Sequence, residues 1–292
     1  MTRPSTLRVL VDLPWPLKRW VAERSLPSRL YWGVCRRVGW NSTRLGWHVA
    51  ANGPYAGIQL QATHTNHLWV LMGTYEPSIS SWISRLMTEA RWGCLNEDVW
   101  DVGAYRGYIS LLCAKYGKGH VLSIEPFPRN AEELRAHLAA NTQLASRIEI
   151  LAAAVTDVDG EVGLRIPDAA AECQVMCRGV QTWDEAYQVG VIHVRSVRLD
   201  SLLQQGRKPP GLIKIDIEGA EALALAGGVR LLRHHRPVVL AEVHNEVAST
   251  ASIALLREHG YDVRRIVGRR LLPLTATAIS YGHLLATPRR LP

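Results

Sequence analysis

The chain has 292 residues, 47 % of them hydrophobic and 21 % charged, enough to bury one large α/β core with an extension. No run of about 18 apolar residues occurs, which excludes a membrane span of the helical kind. The net charge of +8 is uneven: residues 1–44 hold nine Lys or Arg against Asp12 and Glu23, which is +7 and leaves +1 for the rest, so a general nucleic-acid surface on the main domain is not expected. Within this basic, Trp-rich arm, Pro16 and Pro27 can each open a short amphipathic helix. Its tryptophans either dock on the main domain with the arginines solvated, or contact an anionic membrane surface. The apolar run LRVLVDL is broken by Asp12, Pro14 and Pro16, so no secretory signal is expected.

Residues 45–76 predict a small β segment with a turn at Asn52-Gly53-Pro54 and an apolar run HLWVLMG. The main domain is expected over 77–292, with a helix starting at Pro77 or Ser78. From residue 98 strands and helices alternate: DVWDV then YISLLCAKY, HVLSIE then 129–140, RIEILAA, a hairpin about Asp159-Gly160, VIHVRSVRL, and a short helix capped by Asp200. GLIKID, EALALAGGVRLL, PVVLAEVH, TASIALLREHG, YDVRRIV and YGHLLATP complete the series. Such alternation predicts a Rossmann-like α/β fold, a doubly wound and mostly parallel sheet with helices on both faces. The aperiodic stretch 167–190 is long for a connection and is expected to be a lid or substrate loop. Five scattered cysteines, of which only Cys173 and Cys177 are close, make no complete zinc site; reduced thiols and a cytoplasmic location follow, with the inner membrane face as a peripheral site through the arm.

The loop after the first main-domain strand reads WDVGAYRGYISLL, placing Asp101, Gly103 and Gly107 between a strand and a helix. A dinucleotide fingerprint would need glycines at 105 and 108, where Tyr105 and Tyr108 stand and obstruct a pyrophosphate. Asp101 would repel a phosphate but accept from an ammonium group, so a cationic ligand without phosphates fits better. S-adenosylmethionine is such a ligand. Glu125, at the end of the next strand, can take both hydroxyls of a ribose, and Phe127 can pack on an adenine face.

These motifs, with SIEPFPRNAEELRAHLAAN, AAVTDVDGEVGL, VRLDSLL, LIKIDIEGAE, AEVH and the preceding GTYEP, fall in the order found in FkbM-type methyltransferases, and residues 70–265 resemble that family. The resemblance implies a class I, S-adenosylmethionine-dependent enzyme with a seven-stranded sheet, many of whose relatives O-methylate sugars or secondary metabolites. It implies that Asp101, Gly103, Tyr105, Gly107, Glu125, Phe127, Ala154 and Asp216 bind the cofactor. Tyr105-Arg106 departs from the family pattern of a small polar and an aliphatic residue, which puts the cofactor lip in question.

The resemblance also places the LIKID strand between those carrying Asp101 and Glu242. Lys214, at two-residue spacing from Asp216, then reads as an internal cation paired with neighbouring carboxylates. Methyl transfer to a hydroxyl is an in-line displacement that gains from positioning and a base. Asp216 and His244 are the candidates for that work, with Glu218 and Glu242 behind them. The types of Asp216, Glu242 and His244 permit a divalent ion, their spacing does not demand one, and no metal is assigned. The expected acceptor is a hydroxyl of a sugar, glycolipid or secondary metabolite. A non-catalytic module acting through the basic arm and an RNA methyltransferase are the competing readings.

Overall fold

A computed structural model describes residues 46–50, 53–62, 75–167, 174–175 and 188–289. The basic arm, the run HLWVLMG and most of the stretch 167–190 lie outside the described residues. The first elements are the antiparallel pair β1 (Gly46–Val49) and β2 (Gln59–Ala62). Helix α1 (Pro77–Thr88) starts on its proline, whose missing N–H costs nothing at that position, and buries Ile79, Trp82, Ile83, Leu86 and Met87 at helical spacing. Then come β3 (Val99–Val102), α2 (Tyr108–Tyr116), β4 (Val121–Ile124), α3 (Pro128–Ala140), the single turn α4 (Thr142–Ala145) and β5 (Ile148–Leu151). A small sheet follows from β6 (Ala154–Val155), β7 (Gly160–Pro167), β8 (Gln174–Val175) and β9 (Gln188–Val197). The chain closes with α5 (Leu199–Gln204), β10 (Leu212–Ile215), α6 (Glu221–Ala226), a π-helical turn Leu231–His235, β11 (Val238–Val243), α7 (Glu246–Glu258), β12 (Tyr261–Val267), β13 (Arg270–Pro273) and β14 (Gly282–Pro288).

The main sheet has the order β13-β12-β14-β11-β10-β3-β4-β5. Strands β11, β10, β3, β4 and β5 are mutually parallel, and β14 runs antiparallel between β11 and β12. The expected doubly wound sheet is therefore present, with one strand beyond the seven. The extra strand is β13, which pairs with β12 across a turn at Gly268, and whose apolar pair Leu271-Leu272 is flanked by Arg270 and Pro273. Every residue of β3, β4, β10 and β11 is buried, as parallel strands covered on both faces require.

Alternation assigns each strand residue to a face. Val99, Val121, Leu212 and Leu240 pack with Ile83 of α1, Leu111 of α2 and Leu134 of α3. Trp100, Leu122, Ile213 and Ala241 pack on the opposite side with Leu202 of α5, Leu225 of α6 and Ile253 of α7. Asp101, Lys214 and Glu242 alternate with this second set, so they share the first face, under α1 and α2.

Two local expectations are corrected. No hairpin forms about Asp159-Gly160: β6 and β7 both flank β9, in the order β6-β9-β7-β8. The Asp159 carboxylate, which would cap such a turn, instead accepts from the Arg198 and Ser201 side chains and ties the segment to α5. Asp200 does not cap its own helix either. Its oxygens accept from the backbone N–H groups of Arg230 and Leu231, at 2.9 Å each, and cap the π-helical turn. Among the described residues no helix is long and apolar enough to cross a membrane.

Candidate active site

The carboxyl ends of β3, β4, β10 and β11 bring the ionisable residues together. After β3 the chain turns at Gly103, whose φ of 76° suits glycine. A Cβ there would lie 1.8 Å from the Asp216 carbonyl oxygen, so the space a ligand was expected to use is filled by the end of β10. Tyr105 is also left-handed, with φ 52°, and its N–H donates to Glu125 Oε2 at 2.8 Å. Glu125 Oε1 accepts from the Phe127 N–H at 2.9 Å and from Asn130. Burial pushes the Glu125 carboxyl up to about 7 against these bonds. Gly107, φ 81°, backs onto Leu134 of α3, where a Cβ would meet the side chain at 2.8 Å.

Lys214 stands opposite Asp101 in the β10–β3 register. Its ammonium lies 3.2 Å from Asp216 Oδ2 and 3.7 Å from Asp101 Oδ1, and donates to the Gly103 carbonyl at 3.1 Å. Burial opposes the charge, but Asp216, then Asp101 and Glu76, outweigh it and the ammonium is held charged. Asp101 is wholly buried, and burial pushes its carboxyl up despite Lys214 and a 2.5 Å bond from Ser110. Glu242, on the other neighbouring strand, is paired instead with Tyr281 and His283.

The second cluster surrounds His244, at the junction of β11 and α7. Asn245 caps that helix by accepting from the Ala248 N–H at 2.7 Å, which fixes where the strand ends. His244 Nδ1 lies 2.9 Å from Glu221 Oε1, and the same oxygen accepts from the Gly219 N–H. The opposite nitrogen, Nε2, faces Glu218 Oε2 at 3.3 Å, Asp216 Oδ1 at 3.5 Å and Glu242 Oε1 at 3.8 Å. Burial would lower the imidazole, but Glu221, Glu218 and Asp216 raise it to about 9. Glu242 accepts from Tyr281 and from His283 Nε2 at 2.9 Å; these bonds take its carboxyl down to about 2 although burial opposes them. Glu76, left-handed at φ 41° just before α1, turns into the same space. Burial, then the charge of Asp216, pushes its carboxyl up to about 7, and Oε2 is buried without a hydrogen-bond partner.

Asp101, Asp216, Glu218, Glu242 and His244 thus form one continuous network, linked by Lys214. Tyr105, Glu125 and Phe127 form a neighbouring group at the end of β4. Ala154 is outside the ionic network: it is buried in β6 with Leu164 and Val194, a cluster on which Phe127 of the second group packs. Glu76, Glu221, Tyr281 and His283 belong to the site but did not stand out in the sequence. Glu76 reads as a helix-start acid, and Glu221 as a surface acid of an amphipathic helix. His283 could have been found by pairing the last strand against β11, because Glu242 and His283 are register partners. Among the described residues two His/carboxylate sets could hold an ion, Asp216–Glu218–His244 and Glu76–Glu242–His283.

A crystal structure of the methyltransferase FkbM from Methylobacillus flagellatus KT is 18 % identical over 76 % of this chain and 52 % of its own, with a TM-score of 0.43. The chain therefore spans about half the length of that structure. An O-methyltransferase from Bacillus cereus, in complex with SAH, is 14 % identical over 73 % of this chain and 81 % of its own, TM-score 0.41. A SAM-dependent O-methyltransferase from Thermotoga maritima is 14 % identical over 74 % and 67 %, TM-score 0.42. A comparison with curated proteins finds no match. A family model, the methyltransferase FkbM domain, matches residues 101–263, more than half of the chain and the whole span from Asp101 through His244. The chain belongs to the FkbM methyltransferase family.

Proposed function

We propose that the protein transfers the methyl group of S-adenosylmethionine to a hydroxyl of a sugar, glycolipid or secondary metabolite. The observation that carries this reading is the donor set at the ends of β3, β4 and β10. Glu125 is preorganised by the Tyr105 and Phe127 N–H groups, and Oε2 accepts only one of its bonds, which leaves capacity for a ribose hydroxyl. Arg106, the cation of the β3–α2 loop, is turned to Glu133 at 2.6 Å, so a phosphate finds no ready partner there. The residues present fit S-adenosylmethionine: Glu125 for the ribose, Phe127 for the adenine and Asp216 for the cationic end, while Asp101, expected to touch the ligand, is wholly buried and acts from beneath through Lys214.

S-adenosylmethionine supplies an electrophilic sulfonium methyl when bound. The chain's own residues hold the acceptor and manage its proton. Asp216, 18 % exposed and held by Lys214, is the carboxylate open to a hydroxyl. His244, its Nδ1 held by Glu221, aims Nε2 into the site beside Asp216 and Glu218, where it can orient the acceptor oxygen.

Calorimetric titration of the full chain tests the cofactor. S-adenosylmethionine and S-adenosylhomocysteine are expected to bind in the micromolar range, NAD not at all, and Glu125→Gln to weaken binding at least tenfold. Transfer of a labelled methyl group to a panel of hydroxylated acceptors then identifies the substrate class. A folded sample that binds neither ligand would remove the reading.

A further inference from the structure

We propose that Asp216, Glu218 and His244 hold a divalent transition-metal ion of the Mn²⁺ class, with Glu221 as the group that orients the imidazole. The inference rests on the methyltransferase reading for the ion's role, but not for its binding. Its starting point is the spacing around His244 Nε2. Three carboxylate oxygens face this one nitrogen at 3.3, 3.5 and 3.8 Å, all longer than a hydrogen bond of good geometry. One proton on Nε2 serves only one of them well. Ligand atoms around a divalent ion, with bonds of roughly 2.0–2.4 Å, stand roughly 3–3.5 Å apart at right angles, and the Nε2 separations from Glu218 and Asp216 fall in that range. The ligating atoms of Asp216, Glu218 and His244 all lie within 4.8 Å of one another.

A second feature is independent of that cluster. Imidazoles that bind metals usually give their other N–H to a carboxylate, which fixes the tautomer and aims the free nitrogen. His244 Nδ1 meets Glu221 Oε1 at 2.9 Å, and Glu221 is 0 % exposed. Its Oε1 also accepts from the Gly219 N–H, which fixes the carboxylate's position, while Oε2 is buried with no hydrogen-bond partner. The neighbouring set, Glu76–Glu242–His283, lacks this character. There His283 Nε2 and the Tyr281 hydroxyl already bond to Glu242, so that carboxylate is satisfied by protons without an ion, although Glu76 Oε2 is not. One imidazole nitrogen with two carboxylates favours a transition ion over Mg²⁺ or Ca²⁺, which prefer oxygen alone. Such an ion offsets the charge of the four carboxylates around the ring and can polarise an acceptor hydroxyl.

Titration of the chelator-treated full chain with Mn²⁺, by calorimetry and by electron paramagnetic resonance without cofactor, tests this. One ion per chain is expected, with pulsed resonance showing nitrogen coupling from one imidazole in the unmodified protein. His244→Asn and Asp216→Asn should weaken Mn²⁺ at least 100-fold, Glu221→Gln 10- to 100-fold, and the exposed Glu161→Gln not at all. Mg²⁺ should bind at least tenfold more weakly than Mn²⁺. Absence of stoichiometric Mn²⁺ binding, or binding without nitrogen coupling, in a sample that still binds S-adenosylhomocysteine would overturn the metal site and leave the methyltransferase reading standing. Loss of cofactor binding with Mn²⁺ binding intact would do the reverse.

Discussion

At the scale of single residues, the buried Lys214 explains why LIKIDIEGAE carries ionisable groups in an otherwise apolar strand. Its ammonium is the cation that makes Asp101 and Asp216 tolerable under α2. Replacing it with Met would leave the buried Asp101 and the partly exposed Asp216 without their partner, and breaking a buried pair costs about 3–5 kcal/mol. Lys214→Met is expected to lose that much in denaturant unfolding; a loss below about 1 kcal/mol would mean that the carboxylates are solvated or protonated instead. Gly103 offers a sharper steric case. Gly103→Ala places a methyl on a backbone oxygen in a left-handed conformation, and a cost of about 2 kcal/mol or more is expected. Gly190→Ala, with no positive φ and nothing within 4 Å of its Cβ, should change stability by less than about 0.5 kcal/mol. The types of Lys214, Asp216 and His244 were legible in the sequence because charge on an apolar strand is itself a signal. Glu76 and Glu221 were not, because an acid at a helix start is ordinary and only the backbone turn at Glu76 and the burial of Glu221 set them apart.

At the scale of elements, the β1–β2 segment is fastened to the main domain by buried Tyr55, Ile58 and Leu60 and by hydrogen bonds to Asn141 and His137, and one of these titrates. His137 of α3 gives Nδ1–H to the Arg106 carbonyl at 2.9 Å, while Nε2 accepts from the Gln61 N–H at 3.0 Å. Both nitrogens are used by the neutral ring, and protonating Nε2 breaks the bond to β2. Burial takes the imidazole down from 6.5 to about 4. The folded value lies below the unfolded one, so the contribution is complete above about pH 6.5 and is lost as pH falls towards 4. The shift corresponds to about 3 kcal/mol. Melting temperatures between pH 7 and 4 should fall more steeply for the natural chain than for His137→Gln; parallel curves would show that the ring is solvated. The strand and helix positions from 98 onward were legible because apolar period and glycine punctuation agree there. The pairing within β6 to β9 was not: Asp159-Gly160 looks locally like a hairpin turn, whereas long-range bonds from Arg198 and Ser201 decide its partner.

At the scale of the whole molecule, the site draws on the start of α1, the ends of β3, β4, β10 and β11, and the start of β14. Neither half of the chain contains it alone, so a ligand that fills it must stabilise the main sheet as one body. A ligand at 100 times its dissociation constant adds about 2.7 kcal/mol, provided the unfolded chain does not bind it. For a domain of this size that is roughly 5–10 °C. S-adenosylhomocysteine at that ratio is expected to raise the midpoint by this amount in a single transition, and Glu125→Gln to show less than half the rise at the same ligand concentration. The small sheet is the element to watch. Its β9 pairs with β6, which continues from β5 of the main sheet, and Phe127, proposed above to face the adenine, packs on the cluster of Ala154, Leu164 and Val194. If that packing couples the two sheets, calorimetry shows one peak with and without ligand. A second peak that ignores the ligand would assign β7 to β9 to an independently melting unit, and Phe127 would then be a boundary contact and not a wall of the cofactor site.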